Sequence, residues 1–174
     1  NHGLFTFGET AKESYEHMIM LVDKAEKYLK RKGAWKIDAP KKLDRVQAQL
    51  ETLATLRKEI SKRAGQPVLI ARHADKKALS FAQHKDVASF ATRGPATPDH
   101  VIRTKRIPMI GRDLENYSKD YRKYFEKLAK KSKRPLTMLD TAPRIILDKE
   151  LGLLTVGKAA TETTILCFIL SGRP

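Results

Sequence analysis

Two stretches of this chain share one pattern, NHGLFTFG at residues 1–8 and LGLLTVG at residues 151–157. In each, an alternating apolar run typical of a strand ends at a glycine, and a helical pattern follows. Aligning Gly3–Ser14 with Gly152–Thr163 pairs twelve positions, of which six are identical. The repeat predicts two related strand–glycine–helix units. The alternative is that any strand–glycine–helix boundary looks like this.

The pattern of apolar residues predicts a mixed chain. Strands are expected at residues 3–7, 68–71, 144–147 and 151–156, the last two forming a hairpin. Helices are expected at about residues 11–32, 41–64, 75–83, 113–131 and 159–170, with short ones opened by Asp86 and by Pro98. Together these elements predict an α/β (α+β) fold. We assign residues 1–65 to the end of a first unit and residues 66–174 to a second.

Composition excludes several classes of protein. A chain of 174 residues makes one domain or at most two small ones. No apolar run approaches the roughly 18 residues of a membrane span. The single cysteine, Cys167, cannot form an intramolecular disulfide, so a reducing cytoplasm is the expected location. Because the chain begins with Asn1 inside an apolar pattern, we expect a fragment of a longer polypeptide.

The net charge of +15 raises the possibility of a nucleic-acid-binding protein. The placement of the charges argues against it. The cations are spread over every predicted helix and alternate with Glu and Asp, as on solvated helix faces. The densest cluster, residues 127–134, has no interleaved aromatic residues for stacking bases. An anionic substrate such as a sugar phosphate explains local basicity equally well.

His2 is the sharpest candidate for a metal ligand. It stands before Gly3 at a predicted strand end, where close approach of the backbone suits a Zn²⁺ site. A catalytic zinc needs about three protein ligands. The remaining histidines form no His-x-His or His-x-x-x-His pair, so His2 alone makes no site within this chain. A purely structural His2 is the alternative. In the second copy, Leu151 stands in its place.

A second candidate site lies after Pro98 and Asp99, where His100, Arg103 and Lys105 follow at the start of a predicted helix. Such a group can bind an anion at a helix N-terminus. The alternative is that Asp99 only complements the helix dipole and that His100 is a surface residue.

Three stretches resemble a known family. Residues 1–15, NHGLFTFGETAKESY, are similar to the class II aldolase/adducin family, in which an Asn-His-Gly segment supplies a zinc ligand. Residues 93–105, RGPATPDHVIRTK, and 140–144, DTAPR, resemble the aldolase part of bifunctional rhamnulose-phosphate aldolase/short-chain dehydrogenase proteins. The resemblance implies a three-layer α/β/α fold with a mainly antiparallel sheet, of which this chain holds a part. It also implies a homo-oligomer.

The resemblance further implies a function. Zinc would polarise a carbonyl during retro-aldol cleavage of a ketose phosphate, and only His2 matches a ligand. The other ligands and the acid/base carboxylate would precede residue 1, and the dehydrogenase part would follow residue 174. We therefore expect a fragment that is inactive alone. The alternatives are a non-catalytic interaction or oligomerisation module of adducin type, and a basic nucleic-acid binder.

Overall fold

The computed structural model of the chain describes residues 4–34, 50–95 and 98–171. Its helices are α1 (Ala11–Arg31), α2 (Leu50–Ala64), α3 (Lys76–Ala82), α4 (Val87–Ala91), α5 (Pro98–Thr104), α6 (Leu114–Ala129) and α7 (Ala160–Ser171). Its strands are β1 (Leu69–His73), β2 (Met109–Ile110), β3 (Ile145–Asp148) and β4 (Gly152–Gly157). Two compact units result, Asn1–Asp38 and Ala39–Pro174.

The four strands form one open sheet in the order β1-β4-β3-β2. Strand β4 is antiparallel to both neighbours, with Ile70 opposite Val156 on one side and Ile146 opposite Leu154 on the other. The predicted hairpin is confirmed. Strand β2 runs parallel to β3 and was not predicted, because two residues are too few to show an alternating pattern.

Alternation along β3 and β4 divides the core between the two faces of the sheet. Ile146 and Leu154 pack on one face with residues of α2 and α6, whereas Ile145, Leu147 and Leu153 pack on the other with residues of α3 and α4. Successive side chains of a strand point to opposite faces, so both faces are covered by helices. The predicted three-layer α/β/α fold with a mainly antiparallel sheet is confirmed.

The turn of the hairpin is shaped by one carboxylate. Asp148 accepts backbone N–H bonds from Glu150 and Leu151 through Oδ1, at 2.9 and 2.8 Å. Arg112 donates to both of its oxygens at 2.9 Å. Burial alone would raise the pKa of Asp148, but these bonds from Arg112 and the backbone hold it below its usual value. An ionised Asp148 therefore ties the turn between β3 and β4 to the segment that follows β2.

Helix α1, in the first unit, begins and ends as predicted. The Thr10 hydroxyl accepts the Glu13 N–H at 3.1 Å, and Lys30 and Arg31 lie in the last turn near the negative end of the helix dipole. None of its residues is buried. Among the described helices, none is long and apolar enough to span a membrane.

The strand predicted at residues 3–7 is wrong for its described part. Residues 4–8 are irregular, and Phe5 and Phe7 are 87% and 85% exposed. Residues 153–156 have the same pattern but pair with a strand on each side. Alternation makes a strand only where another strand supplies the hydrogen-bond partners, and no described strand pairs with residues 4–8.

The glycine-to-helix turn is nevertheless alike in the two copies. The Glu13 carboxylate accepts the Glu9 N–H at 2.8 Å, and Glu162 accepts the Lys158 N–H at 2.6 Å. A Cβ on Gly8 would lie 2.8 Å from Glu13 Cγ, and one on Gly157 would lie 2.7 Å from Glu162 Cβ. Each copy therefore needs glycine for the same reason, which supports the internal repeat.

Helix α2 belongs to the second compact unit. Leu56 and Ile60 are buried in the same cluster as Ile146 and Leu154. The boundary between the compact units thus falls before α2, between Asp38 and Ala39. Our division at residue 65, between the end of a first aldolase-like unit and a second, degenerate one, stays a prediction.

Two glycines at positive φ provide a test of the sheet. Gly152 has φ +87°, and a Cβ there would lie 2.8 Å from the backbone oxygen of His73 in β1, whereas Gly111 has φ +72° with open space around it. We expect Gly111→Ala to lower the free energy of unfolding by about 1 kcal/mol through backbone strain alone. Gly152→Ala should lower it at least twice as much, because β1 must also move. Urea unfolding measures both, and equal losses would contradict this account.

Candidate functional site

The candidate site is organised around Lys105, the residue that follows the end of α5. Lys105 has φ 61°, in the left-handed region that residues other than glycine rarely adopt. The Thr104 hydroxyl lies 2.7 Å from the carbonyl oxygen of His100 and 2.9 Å from that of Lys105, and it donates its single proton to one of them at a time. The lysine side chain is turned inward, and only 5% of it is exposed.

The Lys105 ammonium is fully engaged. It donates to the carbonyl oxygen of Asp140 and, at 2.7 Å, to that of Ala142. It also lies 3.4 Å from Asp140 Oδ1 and 4.3 Å from the centre of the Tyr121 ring. An ammonium has three donors, and these contacts use all of them. Lys105 therefore joins α5 to the segment before β3 and has no donor left for an external anion.

Lys105, Asp140 and Arg144 form one buried ion cluster, in which Asp140 is the anion. Arg144 Nη1 donates to its Oδ1 at 3.0 Å, Arg144 Nη2 donates to its Oδ2, and the Ala142 N–H bonds Oδ1 at 3.0 Å. Burial alone would raise the pKa of Asp140, but the Arg144 bond and the Lys105 charge hold it below its usual value. One carboxylate thus lies between two cations, and the cluster keeps an excess positive charge.

Burial has the opposite effect on the lysine. It lowers the pKa of Lys105 to about 8, an effect that Asp140 opposes and Arg144 strengthens. Tyr117, packed nearby, has its pKa raised by burial and stays neutral at physiological pH.

Three residues predicted to bind an anion together, His100, Arg103 and Lys105, face two different cavities. His100 and Lys105 line a largely apolar cavity of about 340 Å³. Its lining also includes Phe81, Phe90, Ile145 and Leu147. Arg103 instead lines a cavity of about 200 Å³ together with Arg144 and Lys158. That the three act as one anion site stays a prediction, but in this structure they do not converge.

The predicted metal ligand, His2, lies outside the described residues. Within the described ranges, no group of three or more His, Cys, Asp or Glu side chains could hold a metal ion. His73 Nε2 is 3.0 Å from Thr155 Oγ1, and burial lowers its pKa. The part of the chain seen in the structure therefore does not supply the donor set of a catalytic zinc.

Sequence reasoning gave no role to Asp140, Arg144 or Lys158. The first two have the i, i+4 spacing of an ion pair and lie in the stretch 140–144 that carries the family resemblance. That spacing brings side chains together on a helix, and residues 140–144 are not helical, so it did not predict the pair. Lys158 carries no signal in the sequence either, because only folding brings the end of β4 beside Arg103.

The fold and the site define a mixed α/β domain with an open, mostly antiparallel sheet and a buried ion cluster at one end of α5. A family model described as "Aldolase class II, second domain" matches residues 47–169, and the chain belongs to this family.

The chain also resembles a curated protein, "Uncharacterized oxidoreductase YuxG" of Bacillus subtilis (strain 168), with 24% identity over 191 residues. The match covers 91% of this chain and 26% of that protein, so the chain spans about a quarter of its relative's length. No solved structure shows a significant match.

The Lys105 pKa predicts how stability depends on pH. With a pKa of about 8 in the folded chain and 10.5 when unperturbed, the unfolded chain binds more protons between these values. The free energy of unfolding should therefore rise with pH from about 8 to 10.5, by up to about 3 kcal/mol relative to Lys105→Met. Urea unfolding at pH 7.5 and 10 measures this. The exposed Lys85→Met is the control, and parallel curves for wild type and Lys105→Met would contradict it.

Proposed function

We propose that this chain is part of a class II aldolase that cleaves a ketose phosphate, that its second unit is non-catalytic, and that the longer polypeptide also has an oxidoreductase part. Membership of the class II aldolase family supports the first half of the proposal. The oxidoreductase part is supported by the name of the relative and by its length, about four times that of the match.

The single observation that carries the non-catalytic role is the burial of Leu151. This residue occupies the position that aligns with His2 in the repeat. It is 0% exposed and packs in the same cluster as Ile146 and Leu154. An apolar side chain cannot ligate a metal, so at this position the second copy contributes to the core of the sheet instead of to a metal site.

Zinc belongs to the proposal for the longer polypeptide. Class II aldolases are typically zinc-dependent, and His2 is the residue in this chain that matches a ligand of the family. We propose that His2 completes a zinc site with donors from other parts of the polypeptide.

Substitution of His2 tests this role. In the longer polypeptide, His2→Ala should lower the rate of rhamnulose phosphate cleavage by at least about 100-fold, because an incomplete coordination sphere weakens metal binding. His17→Ala is the matched control in the same unit, since His17 lies 3.0 Å from the Phe7 carbonyl oxygen and, among the described residues, belongs to no group that could hold a metal ion. Unchanged cleavage in the His2 variant would instead support a non-catalytic module of adducin type.

Zinc binding by the 174-residue chain gives a separate test. We expect weak, non-stoichiometric binding by titration calorimetry, because one histidine cannot make a site. His2→Ala should leave this weak binding within about twofold of wild type. Tight one-to-one binding would show a complete site in this chain and contradict the proposal.

A further inference from the structure

The cavity beside Arg103 has a composition that points to a ligand. It lies among α5, β4 and α7, and its volume is about 200 Å³. One part of its lining is apolar, from Ile102, Val156, Ile165 and Leu166, and the other is charged, from Arg103, Arg144, Lys158 and Glu162. Val156 and Leu166 are almost completely buried, so they form a fixed apolar floor.

Two of the cations in this cavity are uncompensated. Among the described residues, nothing forms an ion pair or a hydrogen bond with the side chain of Arg103 or of Lys158, and both are exposed. Arg144 is held by Asp140. Glu162 uses Oε2 to accept the Lys158 N–H at 2.6 Å. The cavity thus has two fixed charged groups and two that are available for a ligand.

The surroundings add to this positive charge. Behind Arg144 lies the buried cluster in which Asp140 alone balances both Arg144 and Lys105. The cavity and this cluster together contain four cationic side chains and two carboxylates. The cations are Arg103, Lys105, Arg144 and Lys158, and the carboxylates are Asp140 and Glu162. Buried charges are screened little by salt, and the whole chain carries a net charge of +15. An anion in the cavity is attracted by the four cations and repelled by the two carboxylates, and the net effect is attraction.

We propose that this cavity binds the phosphate group of a small molecule, with Arg103 and Lys158 donating to its oxygens. A phosphate monoester carries a charge near −2 at neutral pH, which matches two available cations. The guanidinium of Arg103 can donate two parallel hydrogen bonds, and Lys158 adds a compact charge. The apolar floor accommodates a short carbon skeleton.

This site goes beyond the proposed aldolase role, which gives the domain no ligand of its own. The sequence predicted an anion site made of His100, Arg103 and Lys105. The site proposed here shares Arg103 with that group and has Lys158 in place of the other two. Because phosphate binding is measured without any cleavage reaction, its failure and the failure of the aldolase proposal are distinguishable.

The test titrates the 174-residue chain with inorganic phosphate at constant ionic strength, followed by calorimetry and by amide NMR shifts. We expect one saturable site in the millimolar range, with the largest shifts at Ile102, Gly157 and Lys158. Arg103→Gln combined with Lys158→Gln should weaken binding by at least about tenfold. The control removes the same charge elsewhere, with Arg93→Gln and Lys85→Gln, and should stay within about twofold of wild type.

Several outcomes would overturn the site. No saturable binding would do so, as would equal weakening in the two double variants, which would show an effect of net charge alone. If the Arg103/Lys158 variant fails to fold, the shift map of the wild-type chain decides, and shifts centred elsewhere refute the site. Competition by duplex DNA with shifts spread over the basic helices would instead indicate a nucleic-acid-binding surface.

Discussion

The pairing of β4 on both of its sides is the constraint on which the second unit depends. Its antiparallel partners are β1, about 80 residues earlier in the chain, and β3, its neighbour in the hairpin. Side chains from both of its faces then form the two core clusters. The charged groups follow from this arrangement. Arg144 precedes β3 and Lys158 follows β4, and the packing of α5 beside these strand ends brings Arg103 into the same cavity.

The two copies of the repeat show what local sequence determines. The glycine, the glutamate five residues later and the helix between them form the same turn at Gly8 and at Gly157. This turn needs only neighbours in sequence, so it could be predicted. The strand before it needs partners from elsewhere, and residues 4–8 have none among the described strands. Hence the hairpin and α1 were predicted correctly, whereas the first strand was not.

The site was less predictable than the fold for a related reason. Nearness in sequence suggested that His100, Arg103 and Lys105 act together, yet the left-handed backbone at Lys105 turns its side chain to Asp140 and away from Arg103. Neither the strain nor the burial of that lysine is visible in a list of residue types. The exposed charges that remain, on Arg103 and Lys158, are 55 positions apart and share a cavity only through tertiary packing.

The backbone conformation and the contacts of Lys105 limit which residue types can occupy position 105. Glycine would relieve the left-handed backbone but would remove the ammonium donor from the carbonyl oxygens of Asp140 and Ala142, of which the second keeps a bond from Arg144 at 3.2 Å. Arginine would keep the charge but would bring a planar, wider group to a niche shaped for a compact ammonium over the Tyr121 ring. Natural variation at residue 105 should therefore come together with changes at residues 140–144, which hold its ammonium.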